Sequence, residues 1–261
     1  MADDLERQDE ALRCAALRLY ADRGLEALLR RYGEPHLTGS VSLGLMTWPD
    51  LDLYIVTDSQ ASRGRDHMSM VKAALAGGAD VIQLRDKSLS GRDLYGLALD
   101  MGARVRASRA TFIINDRLDI ALAAGADGVH LGQSDLPVAA ARSLTLPSFI
   151  VGASVGSVEE AVAAERDGAD YIALSPVFST PTKDDAGPGH GLEVLSEIRA
   201  AVGIPVIAIG GVNSANVKDV VAAGADGVAV ISAVLGAEDV EAAARSIREL
   251  VLHAKAERGR A

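Results

Sequence analysis

The chain has 261 residues, 49% of them hydrophobic, and a formal net charge of −10, which gives ample apolar sequence for one large α/β domain or two small ones. The acidity disfavours nonspecific nucleic-acid binding, and aromatic residues at 3% leave little to stack on bases. No apolar run approaches the roughly 20 residues that cross a bilayer, "MADDLERQDE" is acidic where a secretory signal is basic, and the single Cys14 forms no intramolecular disulfide, so a cytoplasmic protein without a membrane partner is expected.

In chain order, "ALRCAALRLYADRGLEALLRRYG" has helical periodicity and makes residues 1–50 a mainly helical extension of unassigned role. Strands are predicted near residues 53–57, 81–85, 111–115, 127–131, 148–152, 170–175, 205–209 and 226–231. Helices lie between them, a last one spans about 238–254, the barrel ends near 255, and 256–261 form a tail. Four segments repeat one design: "AALAGGADVIQL", "ALAAGADGVHL", "AERDGADYIAL" and "VVAAGADGVAV". Each is an alanine-rich helix end, a glycine suited to a left-handed cap, an aspartate, and an apolar strand. Eight short hydrophobic strands alternating with helices predict a parallel sheet covered by helices, and the number favours a closed (β/α)8 TIM barrel over an open doubly wound sheet.

In such a barrel the active site lies where the strands end, so polar residues sort by position. Gln83, Arg85 and Lys87, spaced two apart, follow strand two; Asn115 and Asp116 end strand three; Asp135 lies beyond strand four. Ser154 follows strand five, Thr180, Thr182 and Lys183 follow strand six, Gly210 and Gly211 end strand seven, and Ile231 with Ser232 ends strand eight. Arg85, Lys87 and Lys183 form a cationic set. Two carboxylates beside them would repel an anion unless a hard cation bridges carboxylate and phosphate oxygens, which suggests a Mg-diphosphate site. "IGGV" and "VISA" offer backbone N–H groups beside a helix start, a second anion cradle. Two anionic substrates, or one with two phosphate ends, follow from this. Ordinary loop salt bridges explain any one of these charges equally well, but their joint placement after consecutive strands less well.

"LYIVTD", "GGADVIQLRDK", "FIINDRLDIALAAGADGVHLGQSD", "VGASVGS", "TPTK", "IAIGGV" and "GVAVISA" resemble, in order and spacing over about residues 51–250, the thiamine phosphate synthase family. The resemblance implies a Mg2+-dependent transferase. It joins hydroxymethylpyrimidine diphosphate to a thiazole phosphate, through a dissociative pyrimidine cation, to give thiamine phosphate and diphosphate. It further implies that the Gln83–Lys87 segment, Asn115, Ser154 and Lys183 hold the pyrimidine diphosphate, with Arg85, Lys87 and Lys183 catalytic. Asp116 and Asp135 would ligate Mg2+, and Thr180, Thr182, Gly211, Ile231 and Ser232 would hold the thiazole phosphate. The partners implied are small-molecule substrates, and homo-oligomerisation is left open.

Other signals carry less. His130 on strand four reads as a packed, hydrogen-bonded histidine before a catalytic one. "GPGHG" at 187–191 suits a flap or a plain connector, and histidine spacing argues against zinc. Gly39, Ser40, Asp50 and Asp52 resemble a nucleotidyltransferase signature, but no third carboxylate follows, so a structural extension, an oligomer contact or a gene-start artefact outweighs activity. Two rival readings are a thiazole tautomerase-like enzyme, which needs no diphosphate site, and a catalytically silent thiazole phosphate-binding regulator.

Overall fold

The aspartate of each repeat sets how the strands begin. In the computed structural model, which describes residues 52–59, 64–108, 110–180 and 188–259, Asp80, Asp127, Asp170 and Asp226 accept the N–H groups of Leu53, Phe112, Val151 and Val206. The distances are 3.1, 2.8, 2.7 and 2.9 Å respectively. These N–H groups belong to the first residue of the strands Leu53–Val56 and Val206–Ile209 and to the second of Thr111–Asn115 and Ile150–Val155, and the carboxylate satisfies each of them. Arg248, Arg142 and Arg199 pair in turn with Asp80, Asp170 and Asp226.

The elements alternate throughout: β1 (Leu53–Val56), α1 (His67–Ala76), β2 (Val81–Leu84), α2 (Gly91–Arg106), β3 (Thr111–Asn115), α3 (Leu118–Ala124), β4 (Gly128–Leu131), α4 (Val138–Leu144), β5 (Ile150–Val155), α5 (Val158–Arg166), β6 (Tyr171–Leu174), α6 (Gly191–Ala201), β7 (Val206–Ile209), α7 (Val217–Ala222), β8 (Gly227–Val230), α8 (Ser232–Leu235) and α9 (Val240–Arg258). All eight strands pair in parallel with their sequence neighbours, and β8 closes on β1 with Tyr54 opposite Ala229. Closure follows from strands apolar on both faces: one face fills the barrel and the other meets the helices. Helices start where the side chains of Asp66, Ser90, Ser157 and Asp239 accept N–H groups of the first turn.

The barrel belongs to the unit Asp50–Ala261, and Met1–Pro49 is a separate unit. Inside it, the rings of Tyr54 and Tyr171 lie with centroids 5.6 Å apart. Tyr171 fits because residue 152 is glycine: a Cβ there would sit 2.1 Å from the Tyr171 Cζ.

Several sequence expectations shift. β2 ends at Leu84, so the strand alternation does not extend through Arg85 and Lys87, and Lys87 is exposed. β5 begins at Ile150 because Phe149 N–H closes a turn on Leu146 O, and it runs to Val155, which places Ser154 within the strand. β8 ends at Val230, so Ile231 caps α8 and Ser232 opens it. α9 continues past 254 to Arg258, whose guanidinium donates to Val221 O and Ala225 O, each at 2.9 Å. Asp52 is buried at the start of β1 and paired with Lys255, at the end of the barrel away from the mouth. Cys14, Gly39, Ser40 and Asp50 lie outside the described residues.

Candidate active site at the barrel mouth

Strand alternation turns Gln83, Asn115, His130 and Ser154 inward near the ends of β2 to β5. Gln83 Nε2 donates to Asn115 Oδ1 at 2.7 Å, and both residues line a small cavity of about 30 Å3. Arg85 enters the same cavity, with its guanidinium on Asp58 and its N–H on the Thr57 hydroxyl at 3.1 Å. Ser154 and His130 complete that side, joined at 2.9 Å.

Asp116 follows β3 with φ 63°, a left-handed turn that aspartate tolerates, and its N–H donates to His130 O at 2.8 Å. Its carboxyl group lies within the electrostatic reach of that of Asp135, whose Oδ2 accepts the Gly132 N–H at 2.7 Å. Burial, then the carboxyl group of Asp135, push Asp116 up to about 6 against the opposing fields of Lys87 and Arg85. Two acidic groups this close share a proton or a cation. Their hard oxygen donors fit Mg2+, which takes one or two carboxylates and completes its shell with phosphate oxygens and water. Among the described residues no larger group of metal-ligating side chains occurs.

A larger cavity of about 350 Å3 adjoins the first and shares Ser175, Ile209, Ala229 and Ile231 with it. Thr180, Gly211, Ile231 and Ser232 line it. Gly211, at φ 69°, stands where a Cβ would lie 2.7 Å from the Phe178 Cβ, and Asn213 and Asn216 both donate to its carbonyl at 3.0 Å. Arg65 grips the far end of α8 through Leu235 O and Ala237 O.

The structure therefore brings Gln83, Arg85, Asn115 and Ser154 around one cavity and Thr180, Gly211, Ile231 and Ser232 around its neighbour. Asp116 and Asp135 meet each other, and Lys87 reaches Asp116 through its field. Thr182 and Lys183 lie outside the described residues. Sequence reasoning missed Asp58, Arg65 and Tyr171. Tyr171 had a signal: it follows "GAD" where the other repeats carry Val81, Gly128 and Gly227.

Residues 53–234 match the family model for thiamine monophosphate synthase. The chain belongs to the thiamine monophosphate synthase family. A thiamine-phosphate synthase from Methanoculleus marisnigri is 62% identical over 206 residues, covering 79% of this chain and 98% of that protein. One from Methanoregula boonei is 54% identical over 205 residues, covering 78% and 95%. The structure of a thiamine phosphate pyrophosphorylase from Pyrococcus furiosus superposes with a TM-score of 0.73 at 42% identity, over 79% of this chain and 98% of that one. Membership of the thiamine monophosphate synthase family makes the chain an enzyme of the transferase class. Among the described residues no helix is long and apolar enough to cross a membrane.

Proposed function

We propose that the chain couples hydroxymethylpyrimidine diphosphate to thiazole phosphate, forming thiamine phosphate and releasing diphosphate in the cytoplasm. The observation that carries this reading is the pair of adjoining cavities, one lined by the amides of Gln83 and Asn115 and by the cation of Arg85, the other by left-handed glycines and a helix start. The first suits an aminopyrimidine with its diphosphate, and the second suits a phosphate ester.

The carbon–oxygen bond breaks first, its electron pair leaving with diphosphate. The electron-rich pyrimidine carries the resulting cation until the thiazole nitrogen donates its lone pair to that carbon. No protein nucleophile is required. Arg85, Lys87 and Lys183 offset the charge growing on the leaving group, and Gln83, Asn115 and Ser154 orient the pyrimidine diphosphate. Thr180, Thr182, Gly211, Ile231 and Ser232 hold the thiazole phosphate so that its nitrogen faces the reacting carbon. Apolar walls at Ile209, Ala229 and Ile231 exclude water from the cation. Held by Asp116 and Asp135, Mg2+ would neutralise the diphosphate oxygens.

A coupling assay with both substrates, with and without Mg2+, tests this reading. Thiamine phosphate appearing only with both substrates and metal is expected, and binding of thiazole phosphate without coupling would overturn it. Single-turnover rates add a second check. Lys183→Ala should slow the coupling step by about 30-fold to 1,000-fold, the usual cost of one preorganised charge. An unchanged rate with weakened thiazole phosphate binding would move Lys183 to the other site.

A further inference from the structure

Beneath the Ser154 hydroxyl runs a hydrogen-bond chain that the coupling scheme does not use. His130 Nε2 lies 2.9 Å from Ser154 Oγ, and His130 Nδ1 lies 2.9 Å from the Tyr171 hydroxyl. The three residues come from the adjacent strands β4, β5 and β6, and His130 and Tyr171 are buried, at 7% and 1% exposure.

A neutral imidazole carries one N–H, so the chain has two possible directions. If Ser154 donates to Nε2, the proton sits on Nδ1 and points at the Tyr171 oxygen, and the phenol proton then needs another acceptor. Among the described residues the Tyr171 hydroxyl has His130 as its hydrogen-bond partner and no other. The neighbouring Tyr54 hydroxyl is itself buried without a partner, so it supplies no evidence of a continuing chain. An orphaned buried hydroxyl costs about 1 to 3 kcal/mol. Ionisation offers no escape, because burial and then the Asp170 charge push Tyr171 far above the usual phenol range. A doubly protonated imidazole fails for the same reason, since it too donates to the tyrosine oxygen. In the opposite direction every group is satisfied: Tyr171 donates to Nδ1, Nε2–H donates to Ser154 Oγ, and the serine proton remains for the cavity that Ser154 lines.

We propose that Tyr171 and His130 are positioning residues that lock His130 as its Nε2–H tautomer and thereby make Ser154 an obligate donor to an anionic oxygen of the substrate. This rests on the placement of the pyrimidine diphosphate proposed above. The recipient chemistry is the reason for the device: diphosphate oxygens only accept hydrogen bonds, and a serine whose proton was spent on histidine would face them with lone pairs. Gly152 belongs to the same device, since its missing side chain lets the Tyr171 ring reach across β5 to His130.

The test has a spectroscopic arm and a functional arm, both on the full chain. Nitrogen-15 NMR of the histidine side chains, with the His130 signals assigned by their loss in His130→Gln, is expected to show a protonated Nε2 and an unprotonated Nδ1. Tyr171→Phe, which removes only the hydroxyl, should shift His130 toward the Nδ1–H form. A wild-type Nδ1–H tautomer overturns the proposal. In single-turnover coupling, Ser154→Ala should cost about 10-fold to 100-fold and Tyr171→Phe about 3-fold to 30-fold, the range for one oriented donor. The double variant should be no slower than Ser154→Ala alone, because Tyr171 acts through that hydroxyl. Multiplying effects overturn the relay. If the wild type does not couple the substrates, the proposed reaction fails, and titration with inorganic diphosphate decides the relay. The double variant should then bind no more weakly than Ser154→Ala alone, and additive losses overturn it.

Discussion

Asp58, just past β1, holds the guanidinium of Arg85, just past β2, so the first strand pair delivers its cation to the mouth already oriented. Both side chains are largely shielded, at 8% and 12% exposure, and the adjacent Thr57 hydroxyl accepts the Arg85 N–H at 3.1 Å. Asp58→Asn keeps the shape and removes the charge that fixes the fork. Its kcat/KM for coupling should fall about 10-fold to 100-fold, equivalent to about 1.4 to 2.7 kcal/mol. Steady-state kinetics with thermal melts as control check this, and an unchanged kcat/KM would show that Arg85 orients without Asp58.

Asp116 predicts a pH effect on the metal-free enzyme. Its folded value of about 6 lies above the ordinary 3.8, so the folded state holds the proton more tightly than the unfolded state. Below the ordinary value both states are protonated and nothing is lost. Stability from this group declines as pH rises toward about 6, and the cost is complete above it. The site is partly open to solvent, which reduces the cost to about 1 kcal/mol. Asp116→Asn removes the cost and keeps an amide donor for Asp135. Urea unfolding without metal should find the variant more stable at pH 8, with the difference closing as pH falls through about 6 to 4. Added Mg2+ should stabilise the wild type and not the variant.

Gly152→Ala should destabilise the barrel by about 1 to 3 kcal/mol, the usual penalty for overpacking. The added methyl meets the Tyr171 ring at 2.1 Å, so one of the two must move. In a Tyr171→Phe background the same cost should remain, because the ring remains, whereas in a Tyr171→Ala background adding Gly152→Ala should cost little. Equilibrium unfolding of the three backgrounds with and without Gly152→Ala checks this.

Lys255 reaches from α9 to Asp52, whose carboxylate is 1% exposed with Oδ2 unpartnered among the described residues. Lys255→Met leaves that buried charge without its counter-ion and should cost about 3 to 5 kcal/mol. Asp52→Asn in the same chain should restore most of it. The coupling rate of the folded double variant should match wild type, since this pair sits at the far end of the barrel.

The sequence by itself determined the barrel and the rim. Four glycine-aspartate repeats and eight apolar strands admit few other architectures, and βα loops at strand ends converge on one mouth, so Gln83, Arg85, Asn115, Asp116, Asp135 and Gly211 were legible from position alone. Tertiary structure decided what those residues touch. Strand register, which no local pattern encodes, set Gly152 of β5 between His130 on β4 and Tyr171 on β6, with Ser154 two residues further along the same strand. Burial decided the chemistry. The same aspartate type is a strand anchor at Asp80, a counter-ion for Arg85 at Asp58 and a raised acid at Asp116, because what lies within a few ångströms differs and only folding brings it there.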